Sequence, residues 1–124
     1  MKKYLAALAL VGILAACGGG SDVKKGGDSS ADLSSNPDYV KGLDLIGKND
    51  CLTCHNITGP KIGPAYDSVA NMYANMDTAV EHLAKKIIAG GSGVWGSTPM
   101  TPHATLALDS AKQIVKYILL LKTK

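Results

Sequence analysis

Two thiols, Cys51 and Cys54, stand three positions apart, and an imidazole, His55, follows the second at once. That grouping suits a haem, whose two vinyl groups can each take a thioether bond while the histidine reaches the iron from one face. A bare C-x-x-C also occurs as half of a zinc site or as a redox dithiol. Zinc would need a second ligand pair, and the remaining cysteine, Cys17, lies far upstream. A redox dithiol follows a buried strand, whereas Ile46-Gly47-Lys48-Asn49-Asp50 reads as the end of a helix. Neither alternative uses His55. The sequence therefore points to one covalent haem (haem c), attached through Cys51 and Cys54, with His55 as an axial ligand of the iron.

The occupant of the sixth iron position decides the chemistry. A thioether or a second imidazole leaves no vacancy for a reactant, whereas an open position permits peroxide or gas chemistry. The sulfur candidates are Met72, Met76 and Met100, and the nitrogen candidates His82 and His103. Met72 sits in a helical pattern among core-type neighbours and Met76 ends a short connection, which suits both to flexible core filling. His82 stands at the start of a helix and reads as a solvated residue. Met100 lies in a glycine- and proline-rich loop running from Gly90 to Pro102, where Pro99 and Pro102 stiffen the chain around it. It is the leading ligand, with His103 as the alternative and a packing role also open. An open sixth position would instead make the chain a haem peroxidase, with His103 as its acid–base residue, or a gas-binding sensor.

The elements that must position these residues are helical. Asn36 reads as an N-cap with Pro37 at the first helical position, and Val40, Leu43, Ile46 and Gly47 recur at helical spacing as far as about Lys48. Gly42 is costly inside that helix unless a second helix crosses it closely. The last helix offers the partner. Asp109 or Ser110 can cap it, Gln113 can complete a capping box, and Ala111, Ile114, Val115 and Ile118 form its apolar stripe, with Tyr117 a candidate to lie over Gly42. Ala65 to Tyr73 forms a further helix carrying Val69, Met72 and Tyr73 on one side. Thr78-Ala79-Val80-Glu81 reads as a capping box opening another that runs through Leu83, Ile87 and Ile88 to Gly90. Strand signals are absent, so the expected fold is all-α. Residues 36–124 are few for a self-sufficient core, and a haem would supply much of its apolar centre.

The N-terminal part reads differently. Residues 1–16 have two lysines and an apolar run from Tyr4 to Leu14, too short to span a bilayer and suited to a secretory signal. Leu14-Ala15-Ala16-Cys17 resembles the lipobox of bacterial lipoproteins, which implies cleavage before Cys17 and acylation of that residue. Ordinary signal cleavage leaving Cys17 as a free thiol is the alternative. Several acyl chains would hold the protein stably on a membrane. Residues 17–35, mostly glycine, serine, aspartate and lysine, read as a flexible tether with a reach of about 22–26 Å. The precursor's formal charge of +3 falls to +1 when Lys2 and Lys3 leave with the leader, which argues against nucleic acid as a partner.

From Asn36 to Lys124 the chain resembles small bacterial class I cytochromes c, the short monohaem carriers. Gly42, Ile46, Cys51, Cys54 and His55 match the first-helix glycine, its apolar partner and the haem-binding motif. Ile62-Gly63-Pro64-Ala65-Tyr66 is similar to the segment after the haem site, where the proline carbonyl at Pro64 accepts from the Nδ1–H of the proximal histidine. Gly93-Val94-Trp95-Gly96 with Pro99-Met100 is similar to the methionine-donating loop, and the resemblance implies that Trp95 bonds a haem propionate. Tyr117 falls at the aromatic position of the helix crossing. Two departures stand out: His103 replaces a frequent asparagine, and Lys86 replaces an arginine near a propionate, a point charge for a forked donor. The resemblance implies four to five short helices around the haem, with the terminal helices crossing. It implies a one-electron carrier rather than an enzyme, facing the periplasm from a lipid anchor in the cell envelope. Its partners would be redox proteins such as a quinol-oxidising complex, a terminal oxidase or a reductase.

Overall fold

The computed structural model describes residues 33–124; the leader, Cys17 and most of the expected tether lie outside the described residues. Leu33–Ser35, the last three positions of that tether, form a 3-10 turn, with the Asn36 N–H donating to the Leu33 carbonyl at 3.0 Å. Such a turn needs one backbone bond and no buried apolar surface.

Asn36 Oδ1 accepts from the backbone N–H groups of Asp38 (2.9 Å) and Tyr39 (3.3 Å), so α1 starts at Pro37 and runs Pro37–Lys48. Asn49 closes its far end by donating from Nδ2 to the Leu45 carbonyl at 2.7 Å. The buried face differs from the expected stripe. Gly42 and Ile46 are buried and Tyr39 and Leu45 pack on the core, whereas Val40, Leu43 and Gly47 face outward. The reason is the crossing with α4 (Leu108–Leu120), which claims the Tyr39, Gly42 and Ile46 side. A Cβ on Gly42 would run into Tyr117 Cβ and come within 2.9 Å of the Gln113 carbonyl. Glycine there exchanges helix propensity for contact between helices. Tyr117 is fully buried, with its ring centroid 5.0 Å from that of Tyr39.

α2 (Tyr66–Tyr73) and α3 (Ala79–Ala89) pack on α4. The α2 backbone enters in an extended Ala65, and two of its orphan N–H groups are satisfied by the loop after His55: Tyr66 donates to the Asn56 carbonyl and Asp67 to that of Ile57. Its buried side is Tyr66, Val69, Ala70 and Tyr73, a helical i, i+3, i+4, i+7 set. Met72 lies on the opposite side and is 51% exposed, and Met76 is 44% exposed in the following loop, so neither fills the core as expected. Both expected capping boxes are absent. Thr78 makes no side-chain cap bond, and Glu81 pairs with Lys112 at 2.7 Å and Lys85 at 3.2 Å. α4 begins at Leu108, before Asp109 and Ser110, and Gln113 donates to the carbonyl and carboxylate of Asp38. In each case a tertiary partner outbid the local cap.

Between α3 and α4 the structure departs from an all-α reading in detail. Gly91–Gly93 (β1) and Gly96–Met100 (β2) pair antiparallel, with Gly91 opposite Met100 and Gly93 opposite Gly96, and with Val94 and Trp95 at the tip. The ladder consists almost wholly of exposed small residues, so it has no apolar alternation to announce it. Among the described residues the fold remains mostly helical, with four α-helices and this hairpin.

Candidate functional site

Asp50 leaves α1 in a left-handed conformation (φ 55°), unusual for a residue other than glycine. The reversal starts a 3-10 turn over Cys51–Thr53, in which Thr53, Cys54 and His55 donate backbone N–H groups to the carbonyls of Asp50, Cys51 and Cys51. Both thiols and the imidazole are thus carried on one continuous turn. The loop that follows folds back on them: the Gly63 N–H donates to the Cys54 carbonyl at 2.9 Å, and Lys61 Nζ to that of Leu52 at 2.9 Å.

His55 is fixed on two sides. Its Nδ1 lies 2.7 Å from the Pro64 carbonyl. A carbonyl can only accept, so Nδ1 carries the proton and Nε2 keeps a free lone pair. The ring stacks on Tyr66 at 5.3 Å and 18°. A Cβ on Gly63 would sit 2.9 Å from Nδ1, so glycine there makes the cradle in which the ring rests. Burial raises the Cys51 thiol above its ordinary pKa, partly offset by the Tyr66 hydroxyl that faces it. Burial likewise raises the Tyr66 phenol, reinforced by the nearby Cys51. The thiols are free and half-buried.

The turn opens onto a cavity of about 400 Å³ whose wall includes Cys51, Cys54 and His55 together with the apolar side chains of Val69, Leu83, Ile87, Ile114, Val115 and Ile118. Met100, Trp95 and His103 line the same cavity. Met100 is half-buried and arrives on the end of β2. Gly90 allows this: it terminates α3 at φ 65°, and a Cβ there would collide with the Met100 carbonyl and lie 2.7 Å from Pro102 N. Trp95, 42% exposed, is at the hairpin tip. Lys86 borders the cavity and donates from Nζ to the Ser92 carbonyl at 2.8 Å, holding β1 to α3. His82 is exposed at the margin, 5.7 Å from the Tyr73 ring. The structure thus gathers Cys51, Cys54, His55, Pro64, Lys86, Trp95 and Met100 around one space and leaves Met72 and Met76 outside its wall.

Tyr66, Gly63 and Gly90 carry positioning roles that their sequence context did not reveal. An aromatic residue opening a helix directly after Pro64-Ala65 was the available signal for Tyr66. The two glycines act through close approaches that only the fold creates.

These residues fit a haem: a largely apolar cavity, two unpaired thiols on its wall, an imidazole held with Nε2 bare, and a thioether. Comparison with known proteins agrees. The cytochrome c family model matches residues 39–122. Cytochrome c-552 of Hydrogenobacter thermophilus is 46% identical over 78 residues, covering 63% of this chain and 79% of that protein. Cytochrome c-552 of Nitrosomonas europaea is 43% identical over 79 residues, covering 64% and 77%. The crystal structure of the wild-type Nitrosomonas europaea protein superposes with a TM-score of 0.62 at 42% identity, covering 64% of this chain and 99% of that one. The chain therefore belongs to the cytochrome c family, as a small class I member with a single covalently bound c-type haem.

Proposed function

We propose that this protein is a one-electron carrier in which Cys51 and Cys54 hold the haem through thioethers and His55 and Met100 are the two axial ligands. The observation that carries this reading is the single cavity lined by both thiols, the Nε2-bare imidazole and the Met100 thioether. When bound, the haem supplies an iron that accepts an electron from a donor protein as it becomes ferrous and returns it to an acceptor as it becomes ferric. The chain does the rest. Pro64 and Tyr66 fix the orientation of His55, the apolar wall excludes water, and Lys86 steadies the hairpin that presents Met100. Methionine opposite histidine favours the ferrous state and raises the potential. With both axial positions taken, no site is left for a bond-making substrate. Trp95, at the hairpin tip and on the cavity wall, would bond a haem propionate.

The carrier works in the bacterial cell envelope on the periplasmic side, tethered through acylated Cys17 and the segment as far as residue 35, after removal of residues 1–16. Its partners are redox proteins such as a quinol-oxidising complex, a terminal oxidase or a reductase, met in weak and brief encounters.

The ferric optical spectrum tests the ligand set. The weak red sulfur-to-iron band is expected in the wild type and lost in Met100→Ala; its survival there, with loss in Met72→Ala, overturns the assignment. Cys17→Ser is expected to move the haem protein from the membrane to the soluble periplasmic fraction, and retention on the membrane would refute lipidation.

A further inference from the structure

His103 joins three parts of the molecule. Its backbone N–H donates to the Ile87 carbonyl in α3 at 3.1 Å, and its Nε2 lies 3.3 Å from the Asn49 carbonyl at the end of α1. It also follows Met100 by three residues on the chain returning from the hairpin. Because a carbonyl only accepts, Nε2 must carry the proton, which leaves Nδ1 as the bare nitrogen. That Nδ1 is buried and has no hydrogen-bond partner. A buried, unpaired nitrogen is costly, so an imidazole at this position carries a penalty that the Nε2–H bond must offset.

Asn49 is a consequential place to attach. Its side chain and backbone N–H close α1, and the left-handed Asp50 that follows starts the turn bearing Cys51. The return of the methionine loop is otherwise bonded to α3, through Ile87, while Lys86 holds β1 to the same helix. The bond from His103 instead reaches the end of α1, two residues before the cysteine-bearing turn, across 54 positions of sequence.

We propose that His103 is a positioning residue whose Nε2–H clamps the Met100 loop to the Asn49 carbonyl and thereby slows departure of the Met100 thioether. The proposal rests on the ligand reading above. It assigns the effect to Nε2 and its reach to Asn49, rather than to a polar atom close to the ring's Nδ1.

Two amides separate these atoms. His103→Gln places an N–H donor the same number of bonds from Cβ as Nε2, and His103→Asn places one at the distance of Nδ1. The measurement is the rate at which cyanide added to the ferric holoprotein abolishes the red band. The expectation is that His103→Gln stays within about twofold of wild type, while His103→Asn and His103→Ala react about five- to tenfold faster, the factor appropriate to one lost hydrogen bond. Asparagine matching wild type while glutamine reacts quickly would overturn the proposal, as would equal rates in all four proteins. Thermal midpoints measured alongside control for general loosening: a rate that merely tracks the midpoint across the three variants also refutes the clamp. If the band is absent from wild-type protein, the ligand reading fails first, and that outcome is separable from every one above.

Discussion

The α1–α4 crossing and the hairpin that brings in Met100 are held by different physics. At the crossing, backbone meets aromatic ring across Gly42, and Ile46, Ile114, Val115 and Tyr117 are almost wholly removed from water. Each such side chain contributes about 1.5–3 kcal/mol through burial alone. The hairpin has an exposed ladder of glycine, serine and threonine, with Val94 73% exposed at its tip. It depends on point attachments: Lys86 to Ser92, the Gly90 contact and His103. One region is held by side chains buried between two helices, and the other by a few hydrogen bonds and one close backbone contact.

That contrast is broken most severely at Tyr117. Tyr117→Ala should cost about 3–5 kcal/mol in denaturant unfolding, yet leave the red methionine band of the folded fraction in place. Loss of the band at concentrations where the variant is still folded would show that the two regions are not separable. Met100→Ala is the mirror experiment, since it removes the band and leaves the crossing intact.

A gentler change at the same ring sharpens the comparison with pH. The Tyr117 hydroxyl is buried without a hydrogen-bond partner, and burial, helped by neighbouring Tyr39, pushes its pKa from 10.0 up to about 12. A raised folded value means that the unfolded chain loses the proton first. The associated stability is therefore complete below pH 10 and lost as the pH climbs towards 12. Tyr117→Phe should gain about 1 kcal/mol at neutral pH by removing the orphaned hydroxyl and should flatten that alkaline decline. An unchanged decline in the variant would place its origin elsewhere.

The smallest effect is expected at the hairpin. Lys86→Met removes the Nζ bond to the Ser92 carbonyl and should change global stability by about 1 kcal/mol or less, while amide exchange in 91–100 quickens. A large global loss would mean that the hairpin belongs to the scaffold after all.

How much of this was legible in the sequence follows the same division. Cys51, Cys54 and His55 could be read because their chemistry is local, and α1 because Asn36 and Pro37 fix its start without help. The Gly42–Tyr117 contact was foreseeable because an interior glycine asks for a close neighbour. What failed was decided at a distance. Glu81 and Gln113 look like capping residues until Lys112 and Asp38 are brought beside them. Val40 and Leu43 have core chemistry, but the crossing turns a different face inward. The hairpin had no pattern to read, since backbone bonds between small residues leave no trace in hydropathy. Tyr66 was invisible as a support for His55 because the stacking requires the intervening loop to double back.

The chain enters the described domain at Leu33, beside the first turn of α1, and the cysteine-bearing turn begins only where that helix ends. A helix of 12 residues puts about 18 Å between those points. The point where the described chain begins is thus set about three helical turns away from the residues that carry the thiols.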